Sequence, residues 1–246
     1  MTQLIGKTAL ITGGNGGMGA ATARRLAALG ANVAVHYRSK PEATQALVAE
    51  IIQAGGKARA FSAELGDLVQ VRSLFAAVDS QMGGIDIVVH TAATGIFKPH
   101  ADVTDAEFET VIGNNVRAGF YVLQEASRRV REGGRIITLS VAGTASPMAM
   151  AGLNNGSRAA IDQMVLSLAK EVGSKNITAN VLALGLIDTE QLVRTVPEFM
   201  RKQVISQTPL GRMGRPEEVA GTIAFLVGPD GGFFTGQVLR LTGGLI

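Results

Sequence analysis

The chain has 246 residues, 46% of them hydrophobic, enough for a large buried core, and 23 basic against 20 acidic side chains leave a net charge of +3. With no cysteine, disulfides and thiolate metal sites are excluded; His36, His90 and His100 stand at no metal-ligand spacing, and no Lys/Arg run has the length of a nucleic-acid patch. No apolar run approaches the ~18 residues that span a bilayer, Met1–Lys7 leads straight into a strand, which reads as a chain without a signal peptide, and a pI of about 9.4 suits attraction of an anionic cofactor or substrate.

In chain order, short β-branched runs at residues 8–12, 32–37, 58–62, 85–90, 135–140, 178–182 and 238–241 read as strands. They are nearly continuous in apolar character, as strands covered on both faces must be. Amphipathic segments at 18–29, 41–53, 67–82, 105–130, 157–172 and 216–227 lie between them. Ser39-x-x-Glu42 and Thr104-x-x-Glu107 fit capping boxes, and Pro216-Glu217-Glu218 puts proline and carboxylates in a first turn. Alternation with short joints predicts βαβ units and a parallel sheet with helices on both faces. No internal repeat, low-complexity tract or linker interrupts it, so residues 1–246 are expected to form a single doubly wound (Rossmann) domain of about seven strands.

The first strand closes on Ile11-Thr12-Gly13-Gly14-Asn15-Gly16-Gly17-Met18-Gly19. Glycines in that position permit a tight turn and bring backbone close to a pyrophosphate, which then rests on the helix N-terminus. The second strand ends His36-Tyr37-Arg38-Ser39. NAD sites usually place a carboxylate there for the ribose 2′-hydroxyl, whereas a guanidinium and a hydroxyl suit a 2′-phosphate. The expected cofactor is therefore NADP(H).

The chain resembles the short-chain dehydrogenase/reductase (SDR) family over nearly its whole length. Thr12-Gly13-x-x-x-Gly17-x-Gly19 matches that family's cofactor loop, and His90-Thr91-Ala92-Ala93 takes the place of its Asn-Asn-Ala-Gly turn. Asn115 matches its helix asparagine, with Asn114 the alternative if the register slips by one, and Gly134–Gly143 matches the strand carrying its catalytic serine, here Ser140. Asn180–Gly185 with Thr189 resembles its Asn…Pro-Gly…Thr segment, with Leu184 for the proline; Leu210–Ala220 and Thr235–Gly244 are close to its C-terminal signature.

The resemblance implies a cofactor set of Gly13, Asn15, Gly17, Met18, Gly19, Tyr37, Arg38, Ser39, Glu64, Leu65, Ala92, Arg158, Ile187 and Thr189. It implies a catalytic set of Ser140, Asn154, Arg158 and Asn115, with no metal. Met148, Met150 and Leu153 are expected to line a pocket for a small, largely apolar substrate, under a lid at 189–207 carrying Phe199 and Met200. A homotetramer or dimer joined through the helices at 115–130 and 157–172 is implied too, in a cytoplasmic setting with no nucleic-acid or membrane partner.

The family's Tyr-x-x-x-Lys pair aligns with Asn154 and Arg158, and the chain's two tyrosines are Tyr37 and Tyr121. Asparagine does not titrate and arginine stays protonated, so the proton needs another source. A protonated imine brings its own and needs hydride alone. A water chain through Asn115, or His90 with its ordinary pKa near 6.5, would serve a ketone. The remaining alternative is that no proton moves, and the protein binds NADP(H) in a catalytically silent, non-enzymatic role.

Overall fold

A computed structural model describes residues 3–246. Seven strands form one parallel sheet in the order β3-β2-β1-β4-β5-β6-β7: β1 Thr8–Thr12, β2 Asn32–Tyr37, β3 Lys57–Ser62, β4 Ile85–His90, β5 Val130–Val141, β6 Thr178–Leu184 and β7 Val238–Leu241. Every residue of β1, β4 and β6 is buried, the outcome expected of strands sandwiched between helical layers.

Helices α1 (Gly17–Ala28), α2 (Pro41–Gln53) and α9 (Pro216–Val227) pack on one side around Ile11, Leu26, Val33, Ile51 and Ile223. Helices α3 (Leu68–Met82), α5 (Ala118–Arg129) and α6 (Gly152–Val172) cover the other around Leu10, Phe75, Val122, Ile136 and Ile161. Helices α4 (Asp105–Val111), α7 (Glu190–Thr195) and α8 (Glu198–Gln207) sit in the connections beyond the strand ends. Among the described residues, no helix is long and apolar enough to cross a membrane.

Three expectations fail locally. The capping box at Ser39 does not form: Lys40, in a left-handed conformation, is the N-cap of α2 and makes no side-chain cap bond. The stretch expected as one helix over 105–130 is broken by a π-helical segment, Ile112–Arg117. Its cause is visible in Asn115, whose side chain is drawn onto the loop after β4. Helix α6 begins at Gly152, five residues before the expected start, so Asn154 lies inside its first turn. Thr104 and Glu107 do form a capping box on α4.

Candidate active site

β1 pairs with β2 on one side and β4 on the other, so the chain leaves the sheet in opposite directions from their C-terminal ends. That divergence opens a crevice, the place where doubly wound sheets hold ligands. The glycine loop crosses it. A Cβ on Gly13 would lie 2.9 Å from Ala92 Cα, one on Gly14 2.8 Å from Val35 Cγ1, and one on Gly19 would run into the Gly13 carbonyl. Helix α1 has Gly16 as its N-cap, with no side-chain cap and no acidic residue in its first turn. Its first N–H groups are thus free for an anion, and the cradle fits a pyrophosphate.

The loop is tied down from β2. His36 accepts the Gly13 N–H on Nδ1 at 3.0 Å, the His36 carbonyl accepts the Gly14 N–H at 2.8 Å, and Asn15 Nδ2 donates to the Ser39 carbonyl at 2.8 Å. Met18 packs into the α1 side of the core, and Ala92 into the other. Beyond half-buried Tyr37, the exposed Arg38 guanidinium donates to Asn114 Oδ1 at 3.2 Å and stands 3.9 Å from the Glu64 carboxylate. Glu64 also accepts the Gly66 N–H at 3.2 Å, and Leu65 is buried beside it.

The segment that follows β6 reaches the same crevice. Ile187 is buried and bridges to Gly214. Thr189 caps α7 by accepting the Leu192 N–H at 3.2 Å and overlies Gly17, where a Cβ would sit 2.8 Å from Thr189 Cγ2. Gln191 Nε2 donates to Ala93 O at 3.4 Å. Phe199 and Met200 do not act together: Met200 is 2% exposed and Phe199 59%. Adjacent positions on a helix point about 100° apart, so one faces inward and the other solvent.

Ser140 lies one residue before the end of β5, and α6 presents Asn154, Arg158 and Asp162, all buried, at spacings of four on one face. Asn154 Oδ1 lies beside Gly95, where an added Cβ would sit 3.2 Å from it, and Nδ2 donates to Asn155 Oδ1 at 3.4 Å. Arg158 donates to the Leu139 carbonyl; its burial lowers its pKa to about 10, still cationic at working pH. Burial pushes the Asp162 carboxyl up, against the hydroxyls of Ser140 and Thr144 and the charge of Arg158. Those hydroxyls face it, yet neither Ser140 Oγ nor Asp162 Oδ1 closes a well-formed hydrogen bond, and Asn155 Nδ2 is also unpartnered. Asp162 escaped sequence reasoning, although its place four residues beyond Arg158 was the available signal.

Two proton sources considered from sequence are ill placed. His90 is buried, hydrogen-bonded through Nδ1 to Thr12 Oγ1 at 2.7 Å, and burial with the nearby Arg158 charge lowers its pKa to about 3. It is a neutral imidazole with no acid proton to deliver near pH 7. Asn115 Oδ1 accepts the Thr94 N–H, while Nδ2 donates to Thr94 O and Ser157 Oγ, at 2.8–2.9 Å. Both amide protons are spent, so its side chain braces the β4 loop against α6. Tyr37 ends β2, and Tyr121 packs under the sheet from α5.

Half-buried Met148 and Met150 lie in the loop before α6. Leu153 parts from them and lines a groove of about 600 Å³ with His100, Phe108, Ile112 and Val116. Among the described residues, no cluster of three or more His, Asp or Glu could hold a metal.

Residues 13–246 match the family described as enoyl-(acyl carrier protein) reductase. A hydroxynaphthalene reductase-like protein of Metarhizium robertsii is 36% identical, with 99% of this chain and 96% of that protein covered. The structure of a short-chain dehydrogenase from Burkholderia cenocepacia in complex with NADP superposes with a TM-score of 0.93 at 35% identity, covering 99% of each chain. A blue fluorescent protein from a metagenomic library, in complex with NADPH, gives 0.91 at 36% identity, again over 99% of each. The cradle at the β1–β4 crevice, the serine at the end of β5 and these likenesses over the full chain coincide: the chain belongs to the short-chain dehydrogenase/reductase superfamily of oxidoreductases.

Proposed function

We propose that the protein is an NADPH-dependent reductase acting on a C=N or C=O bond of a small, largely apolar substrate, with an atypical site in which Asn154 and Arg158 stand where the family carries tyrosine and lysine. The observation that carries the reading is the glycine cradle and Arg38 beside a β5–α6 cluster that contains no phenol. The NADP- and NADPH-bound neighbours support the cofactor.

Arg38 and Ser39 hold the 2′-phosphate, the α1 N-terminus the pyrophosphate, Glu64 and Leu65 the adenine end, and Ala92, Arg158, Ile187 and Thr189 the nicotinamide end. Bound NADPH supplies the hydride. Ser140 and Asn154 orient the acceptor by hydrogen bonding, the entropic part of catalysis. Arg158 keeps a positive field beside it without acting as an acid. Residues 189–207 close as a lid, and Met148 and Met150 mould to the apolar substrate. The exposed Phe108 and Phe120, on α4 and α5, suit burial against a second copy.

The test is NADPH absorbance followed with cyclic imines and with ketones across pH. Imine turnover that persists where ketone turnover fails is the expected result; tight NADPH binding with no oxidation of either class overturns it. The blue fluorescent neighbour favours one second reading, binding without turnover. Under it, NADPH emission rises on binding and stays constant in the presence of every substrate.

A further inference from the structure

We infer that Asp162 is the proton reservoir of this site, recharging the Ser140 hydroxyl when Ser140 protonates a ketone oxygen. The inference rests on the reductase reading and deepens it. Three observations meet at one place. Asp162 is 4% exposed on the α6 face that also carries Asn154 and Arg158. The hydroxyls of Ser140, near the end of β5, and of Thr144, in the turn after it, face its carboxyl. Finally, Ser140 Oγ and Asp162 Oδ1 are both buried without a partner, which in a packed interior marks groups kept for something other than stability.

The alternatives in the same cluster are spent. Asn115 has committed its amide protons, His90 is neutral, Asn154 does not titrate, and Arg158 stays a cation that donates to the Leu139 carbonyl. The charged group beside Asp162 is Arg158, one turn back on α6; behind Arg158 lies neutral His90 on β4. β5 and the following turn contribute the hydroxyls of Ser140 and Thr144. Burial raises the carboxyl pKa, so the acid form is kept to a higher pH than on a surface aspartate.

The step balances as follows. The carbonyl carbon takes the hydride and its electron pair from the reduced nicotinamide cofactor. The carbonyl oxygen takes the Ser140 proton, breaking that O–H bond and forming the alcohol. The Asp162 proton restores the Ser140 O–H, leaving a carboxylate that regains its proton from water. An iminium substrate takes the hydride and skips all three proton transfers. Asp162 therefore acts through Ser140 as a positioning and proton-holding residue.

Infrared difference titration of the NADP⁺-loaded protein tests this without turnover. A buried carboxylic-acid C=O band should titrate above the ordinary aspartate range near 3.9 and vanish in Asp162→Asn. If wild type and Asp162→Asn give the same spectra, the inference is overturned. Kinetics supply the second arm. Asp162→Asn should cut ketone kcat about 100-fold, the scale of general-acid catalysis, with little change in KM. It should also erase the fall of ketone rate with rising pH and leave iminium reduction within about twofold of wild type. Equal loss on both substrates marks a structural role and sinks the proposal. If Asp162→Asn does not fold, Ser140→Ala takes its place: the infrared band should persist but shift, and an unshifted band sinks the proposal. Wild-type silence on both substrate classes overturns the reductase reading, and the infrared titration still decides whether Asp162 holds a proton.

Discussion

His36 joins the glycine loop to β3: its Nδ1 accepts the Gly13 N–H at 3.0 Å, and its Nε2 lies 3.1 Å from the Ala63 carbonyl. An N–H can only donate and a carbonyl only accept, so the ring must be neutral with its proton on Nε2. Burial accordingly lowers its pKa to about 4.

The stability of the fold should therefore fall in acid. His36 and His90 have folded pKa values of about 4 and about 3 against roughly 6.5 unfolded. Between those limits the unfolded chain binds protons that the folded chain refuses. Their contribution is complete above pH 6.5 and is lost as pH falls toward 4 and 3, by up to about 1.4 kcal/mol per histidine per pH unit. Urea unfolding of wild type and His36→Gln at pH 7 and pH 4.5 checks it. The variant should be less stable at pH 7, by about 1–3 kcal/mol if a buried group is left unpaired, and should lose less on acidification.

Gly17→Ala should separate cofactor binding from folding. The added methyl meets the side chain of Thr189 rather than backbone, so the start of α7 shifts while the sheet does not. NADPH affinity is expected to drop at least about tenfold with a melting change of only a few degrees, read by fluorescence titration and thermal unfolding. Gly19→Ala, which collides with the Gly13 backbone, should abolish binding outright.

Arg38→Ala should erase the preference for the 2′-phosphate. A charge-assisted hydrogen bond is worth about 1.5–3 kcal/mol, so the NADPH-over-NADH affinity ratio should fall roughly 10- to 100-fold. Because Arg38 is exposed and its ion pair with Glu64 is long, stability should barely change. An unchanged ratio would place the 2′-phosphate elsewhere.

Asn154→Tyr combined with Arg158→Lys should raise ketone reduction by restoring a titratable phenol at the first turn of α6. The new ring needs the space next to Gly95 and Phe97, so the loop after β4 must give way. If the folded double variant gains nothing on ketones, the assignment of these two positions is wrong.

The architecture was legible because its signals are periodic and local. Strands 8–12, 32–37, 85–90 and 238–241 lie where their apolar runs put them. The glycine loop was legible because the strand before it and the helix after it give it meaning. Tertiary contacts decided what was missed. The π-helical break at Ile112–Arg117 follows from a bond between Asn115 and Thr94, 21 residues apart, and no helical pattern encodes it. His90 looked like an acid because its type titrates near neutrality; the burial that disarms it belongs to the fold. Little in the helical pattern sets Asp162 apart; only the fold, by laying β5 alongside α6, puts Ser140 opposite it.

The strand order also dictates when the crevice comes into being. β1 pairs with β4 in the register Ala9↔Ile87, so the wall between the two halves of the sheet is missing until about ninety residues have left the ribosome. Pairings between distant segments are slow to form, which leaves the nascent N-terminal half with an unzipped, apolar edge. NADPH at 100 times its dissociation constant would add about 2.7 kcal/mol to the finished fold.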